Sequence, residues 1–298
     1  MCEICKICGS EEIKEEYTGI IRDGGLGKYT DKPVTMYRCL NCGVIWHSPL
    51  IDTRSYYEND SYRMSLEDTV EEADFYRLHD CESLDKLRYT GMIFRDKICA
   101  DIGCGAGAFL DLVRGAAKDV IAVEPTKQYG EILRRKGFHT YAYGQNALSE
   151  WAEKIDVITS FDVIEHVDDP IKFLEEIYLL LAKMGGCVIG TPTETPVMRK
   201  LLGSVYEKKL LFSSQHQWIF GEESLKRIAT LAGFKETNIQ IKYFQRYGLL
   251  NVFGWLNAKE PGSKVPDKII TETMDKTWRS ELEARGISDY IVLYAKKD

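Results

Sequence analysis

From residue 97 onward, short runs of apolar and β-branched residues alternate with stretches in which apolar positions recur every three to four residues. That alternation predicts an α/β domain with a parallel sheet covered on both faces by helices. Candidate strands are 97–102, 119–124, 138–142, 155–160, 186–191, 236–244 and 289–295, with "FLDLVRGAA", "YGEILRRKG", "PIKFLEEIYLLLAKMGG" and "EESLKRIATLAGF" as intervening helices. Pro170 suits a first helical turn, where its missing N–H is not needed, and Asp168 and Asp169 stand at the cap. Glycines 137, 185 and 233 are expected where helices stop.

Two segments add to this core. In "LEDTVEEADFYRLHDCESLDKL", Leu66, Val70, Ala73, Leu78, Cys81, Leu84 and Leu87 fall at helical spacing. They predict a connector helix within 51–96, packed on the main domain by that stripe. The preceding "SYYENDSY" reads as packing or as the lining of a substrate mouth. Between the last two candidate strands lies an insertion, about 245–288, with a helix from Pro266 to Gly286 and a loop unusually long for an empty connection. Its "YGLLNVFGWLNA" places Leu249, Leu250, Val252, Phe253, Trp255 and Leu256 too densely for an exposed loop. It is expected to cap a pocket, to form a homodimer face, or to pack on the sheet.

With 298 residues and 44% hydrophobic content, the chain can bury a full core. A net charge of −7 and a pI near 5.5 argue against a nucleic-acid partner, whose phosphates demand a basic surface, and favour a small-molecule substrate. No apolar run reaches the length of a membrane span, and "MCEICKICGS" lacks a signal-peptide core, so a cytoplasmic location is expected.

The nine cysteines change the picture of the first fifty residues. "CKICGS" and "RCLNCGVIW" are two copies of C-x-x-C-G, which together offer four thiolates for a tetrahedral zinc site. Cys2 and Cys5 share the same spacing. Only Cys8 and Cys42 precede a glycine able to turn backbone N–H groups toward the sulfurs, so the expected ligands are Cys5, Cys8, Cys39 and Cys42. A closed structural zinc site folding residues 1–50 is the leading reading; iron and a redox dithiol are the alternatives, and His47 is a spare ligand.

"ICADIGCGAGAF" reads as strand, tight turn and helix. Gly103, Gly105 and Ala108 satisfy the loose dinucleotide pattern, and Glu124, ending the next strand, lies where a ribose-binding acid belongs. On those residues alone NAD is admissible. The turn is joined, however, by Asp101, by "SFDVIEHVDDP", by "LLLAKMGGCVIGTP" and by a final "DYIVLYAKK". Together these resemble the class I S-adenosylmethionine-dependent methyltransferases over residues 97–298. The resemblance implies a Rossmann-like sheet of seven strands in order 3-2-1-4-5-7-6, the last strand antiparallel. It also implies S-adenosylmethionine as cofactor and S-adenosylhomocysteine as product.

The chemistry of that cofactor assigns roles. Backbone N–H groups of Gly103, Cys104, Gly105 and Gly107 would hold the methionine carboxylate at a helix N-terminus. Glu124 would accept both ribose hydroxyls, Pro125 would cover an adenine face, and Asn146 or Gln145 would read the adenine edge. Asp101 precedes the turn, while Ser160, Phe161 and Asp162 would flank the methionine portion. Where an acceptor must lose a proton, histidine is suited as base. His216, in "SSQHQWIFGEESL", and His166, in "IEHVDDP", are candidates, with Glu165 more suited to organising its loop.

"CKICGS", "YRCLNCGVIWHSP", "YYEND" and "QHQWIFGEESL" are similar to a bacterial group that includes sugar C-methyltransferases with an N-terminal zinc domain. In that group a histidine at the position of His216 is the proposed base. Those enzymes carry a further C-terminal domain, whereas the sequence in hand ends with the expected methyltransferase strand, so oxygen methylation of a sugar, sugar nucleotide or surface-glycan precursor is expected at least as readily as carbon methylation. "QRYGLLNVFGWL" is similar to stretches in methyltransferases of surface polysaccharide synthesis. Competing expectations are an RNA or protein methyltransferase that docks through the zinc ribbon, and a non-catalytic zinc-binding adaptor.

Overall fold

The computed structural model describes residues 4–50, 71–260 and 269–298. Cys2, "SYYENDSY", Leu66, Val70 and Pro266 lie outside them. Strands are numbered along the chain: β1 (Ile13–Gly19), β2 (Val34–Cys39), β3 (Ile45–Ser48), β4 (Ile98–Ile102), β5 (Asp119–Val123), β6 (His139–Tyr141), β7 (Ile155–Phe161), β8 (Leu181–Pro192), β9 (Trp218–Ile219), β10 (Ile239–Phe244) and β11 (Tyr290–Lys296). The chain divides into two compact units, one of residues 1–50, 191–224 and 241–292, the other of residues 51–190, 225–240 and 293–298.

A seven-stranded sheet runs β10-β11-β8-β7-β4-β5-β6. Counted from β4 with β9 set aside, this is the order 3-2-1-4-5-7-6 that the sequence resemblance implied. β4 pairs in parallel with β5 and β7, β5 with β6, and β7 with β8. Consecutive side chains of β4, β5 and β7 are buried, as a sheet covered on both faces requires. Asp169 caps the Pro170–Leu180 helix, its carboxylate accepting from Ile171 N and Lys172 N at 3.1 Å each.

That helix ends before Gly185. At Leu181 the backbone turns extended (φ −65°, ψ 132°) and enters β8 at once, so Gly185 sits within a strand. There a Cβ would lie 2.9–3.1 Å from three backbone carbonyl oxygens, a closeness only glycine permits. The connector helix, Glu72–Thr90, also departs from its expected stripe. Ala73, Leu78, Cys81 and Leu84 are exposed, while Phe75, Ser83, Tyr89 and Thr90 form the buried face. The reason is aromatic packing: Phe75 lies on Tyr129, with centroids 5.1 Å apart, and clusters with Ala106, Ala108 and Ile132.

In the other unit, β1, β2 and β3 form an antiparallel meander, and β9, which periodicity did not foresee, pairs with β3 through Ile45↔Ile219 and Trp46↔Trp218. One hydrophobic cluster joins Ile21, Met36 and Ile45 to Tyr206, Phe212, Ile219, Val252 and Trp255. The dense "YGLLNVFGWLNA" is thereby accounted for. It forms the Leu249–Ala258 helix, which buries Val252 and Trp255 in this cluster and leaves Phe253 and Leu256 exposed. Half-buried charge ties the same unit together, with Arg38 and Arg199 each paired to Glu16, Arg38 to Glu194 and Arg199 to Glu207. Burial pushes the Glu16 carboxyl up, but the hydrogen bonds and charges of Arg38 and Arg199 outweigh it and hold it at about 2. Among the described residues no helix is long and apolar enough to cross a membrane.

Candidate functional site

The glycine turn follows β4 in a conformation that requires glycine. Gly103 (φ +80°) and Gly105 (φ +56°) are left-handed, and a Cβ would land in the Val163 side chain at the first and in the Phe75 ring at the second. The turn's N–H groups are largely engaged within the protein. Gly103 N and Cys104 N donate to Val123 O, Gly107 N to Cys104 O, and Gly105 N to Glu124 Oε2 at 2.8 Å. The N–H groups of Gly103, Cys104, Gly105 and Gly107, expected from the sequence to hold an anion, thus each have a partner within the protein, and the glycines let the turn pack closely.

Glu124 directly follows β5, buried at 6% exposure. Oε2 takes Gly105 N–H and Oε1 takes Thr126 N–H at 2.9 Å, which leaves one lone pair on each oxygen for a further donor. This side chain lines a cavity of roughly 440 Å³ at the carboxyl ends of β4, β5, β6 and β7. Ile102, Gly103, Pro125, Gln145, Asp162 and His166 share that lining, the location where ligands bind in such sheets.

Other expected site residues stand behind the wall. Asp101 is fully buried and accepts the Thr159 hydroxyl at 2.6 Å. Burial raises its carboxyl to about 6, against the charge of Lys86 and the Thr159 hydrogen bond, with Glu124 adding to the rise. Ser160 Oγ donates to Ile102 O at 2.8 Å, fixing β7 against β4. Phe161 packs edge-on against Phe109, and the Cys104 thiol is buried, with burial pushing its titration well above the usual thiol range. Asn146 is a cap: its Oδ1 accepts Tyr143 N at 3.1 Å to close the Gly144–Trp151 helix, while Gln145 lines the cavity.

Lys86 was not foreseen. From the Glu72–Thr90 helix its ammonium stands 5.9 Å from the Phe109 centroid and 5.5 Å from that of Phe161, close enough to act on Asp101. Its only sequence signal is its place on the inward face of a helix whose register was misread. His166 and Glu165 are both buried in the loop after β7, with His166 Nε2 and Glu165 Oε1 3.9 Å apart and His166 N bonded to Val163 O. His216, in the other unit, is half-buried in a turn closed by its N–H to Ser213 O at 3.1 Å.

Cys5, Cys8, Cys39 and Cys42 converge, their sulfurs all within 4.8 Å of one another. Four sulfurs placed about 2.3 Å from one zinc in a tetrahedron stand about 3.8 Å apart. The Cys5–Cys42 and Cys8–Cys39 separations are 3.7 and 3.5 Å, so the donor set fits the ion. Gly9 (φ +70°) and Gly43 (φ +77°) close matching turns, with Gly9 N bonded to Cys5 O and Gly43 N to Cys39 O. The hydrogen bond from Cys42 drives the Cys5 thiol down to about 5 and pushes Cys42 itself upward, while burial pushes Cys39 up, so the first thiolate of the cluster forms on Cys5. His47 stands outside this group.

Strand order, glycine turn and a ribose-suited acid beside a cavity define a class I S-adenosylmethionine-dependent methyltransferase. The profile of a family described as a methyltransferase domain matches residues 76–239, and the chain belongs to that family. It is similar to ubiquinone biosynthesis O-methyltransferases of Actinobacillus pleuropneumoniae serotype 7 and Haemophilus ducreyi, each 26% identical over 172 residues, 53% of this chain and 72% of the relative. Its fold matches a methyltransferase of Thermotoga maritima at 21% identity and TM-score 0.52, covering 76% of this chain and 94% of the other. It also matches one of Archaeoglobus fulgidus at 19% and 0.50, covering 74% and 94%.

Proposed function

We propose that the chain methylates an oxygen of a small polar acceptor, with a sugar, sugar nucleotide or surface-glycan precursor as the acceptor class and S-adenosylhomocysteine as the product. The observation that carries the cofactor half is Glu124, a buried carboxylate held by two backbone N–H groups with a lone pair spare on each oxygen at the rim of the cavity. When bound, S-adenosylmethionine supplies a methyl group already activated on a sulfonium. The protein's own task is alignment and exclusion of water. Glu124 would hold the ribose, Pro125 and Gln145 the adenine, and Asp162 the methionine portion. Cys5, Cys8, Cys39 and Cys42 would hold a structural zinc.

For the acceptor, oxygen is supported by the relatives, which are named as O-methyltransferases. The carbohydrate class rests on the resemblance carried by "CKICGS", "YRCLNCGVIWHSP" and "QHQWIFGEESL". His216 is the candidate base, an imidazole suited to take the proton a hydroxyl releases as it is methylated. Zinc-loaded protein is titrated with S-adenosylhomocysteine, then offered radiolabelled S-adenosylmethionine with panels of nucleotide sugars and phenolic acceptors. Saturable binding and label on a nucleotide sugar are expected. Absence of binding would overturn the cofactor reading, and label on phenols alone would overturn the carbohydrate class.

A further inference from the structure

Hydrogen bonds of the N-terminal fifty residues reach beyond the cysteine turns. Segment 212–219, which carries His216, runs between two stretches of this N-terminal chain. On one side Arg22 N donates to Phe212 O at 3.2 Å and Ser214 N to Arg22 O at 2.9 Å, and Asp23 accepts the Ser214 hydroxyl. On the other side His47 N donates to Gln217 O, and Trp46 and Ile45 pair with Trp218 and Ile219. His47 is buried; its Nδ1 donates to Pro49 O at 2.9 Å, and its ring faces the Ser214 backbone.

The cysteine cluster sits at the origin of this arrangement. Cys39 ends β2, its N–H bonded to Val44 O, and Cys42 lies in the turn that starts β3. The metal-binding turn thus sets the β2–β3 hairpin, β3 sets β9, and β9 begins two residues after His216. We propose that the four-cysteine turn, with Asp23 and His47 as positioning residues, fixes the placement of His216, and so serves the acceptor side of the reaction rather than the docking of a macromolecule. The inference rests on the reading of His216 given above.

The full-length zinc-loaded chain is followed by hydrogen exchange before and after zinc is withdrawn with a chelator. Peptides covering 212–219 are expected to exchange at least tenfold faster, while peptides of β4 to β7 and the affinity for S-adenosylhomocysteine stay within twofold. Unchanged protection of 212–219 overturns the proposal, and so does loosening of both regions together. In zinc-loaded Asp23→Asn and His47→Asn, turnover is expected to fall at least tenfold with S-adenosylhomocysteine affinity within twofold, and the pH profile to flatten toward that of His216→Gln. A profile of native shape in both variants overturns the positioning role. Full activity in His216→Gln would instead remove the base assignment and leave the exchange result standing.

Discussion

Replacing Glu124 with glutamine preserves shape and removes charge. The native carboxylate serves Gly105 N–H at 2.8 Å with one oxygen and Thr126 N–H at 2.9 Å with the other, in a residue 6% exposed. An amide has one acceptor oxygen, so either orientation turns its NH₂ against one of those donors. A buried donor left unsatisfied costs about 1–3 kcal/mol, and a hydrogen bond to a charged group contributes about 1.5–3 kcal/mol. The ribose would lose one acceptor outright and the charge assistance of the second, about 2–4 kcal/mol, or roughly 30- to 1,000-fold in affinity. Calorimetric titration with S-adenosylhomocysteine measures this directly. A thermal melt of the unliganded protein reads the separate loss of about 1–3 kcal/mol from the glycine turn. Binding within threefold of the native value would refute Glu124 as the ribose acceptor.

Two further outcomes follow from the same region. Gly105→Ala should destabilise the chain through the left-handed backbone, about 1–2 kcal/mol, and through overpacking against Phe75, about 1–3 kcal/mol; in denaturant unfolding Phe75→Ala should recover the second part only, and simple additivity would contradict the contact. Asp101, raised by burial from an ordinary 3.8 to about 6, makes the folded chain bind more protons than the unfolded chain between those values, so its contribution to stability falls as pH rises through that window. The native melting temperature relative to Asp101→Asn should therefore decline from pH 4.5 to 7, and a constant difference would show that Asp101 titrates normally.

Much of the fold was legible because parallel strands buried on both faces read as short apolar runs. Every strand of the large sheet falls on or across a run identified in the sequence, and "DYIVLYAKK" marked the strand that separates this order from a dinucleotide fold. Periodicity failed where contacts came from elsewhere. The connector helix buries Phe75 because Gly105 leaves room for a ring, a relation between residues thirty apart that no local pattern carries. β9 is two residues long and exists only as a partner for β3. Position after a strand singled out Glu124, which lines the cavity, and Asn146, which serves as a cap, while spacing singled out the four cysteines, which converge.

The pairing of β3 with β9 also has a consequence for synthesis. The partner of Ile45 is made about 170 residues later, and at 5–20 residues per second that interval is roughly 10–35 s. During it the three-stranded meander has neither its fourth strand nor Tyr206, Phe212 and Trp255 to cover Ile21, Met36 and Ile45. An ion captured by four nearby thiolates needs none of these later residues. It can hold the nascent hairpin in register on the ribosome, so the availability of metal during translation, as much as in the finished protein, would set the yield of folded chain.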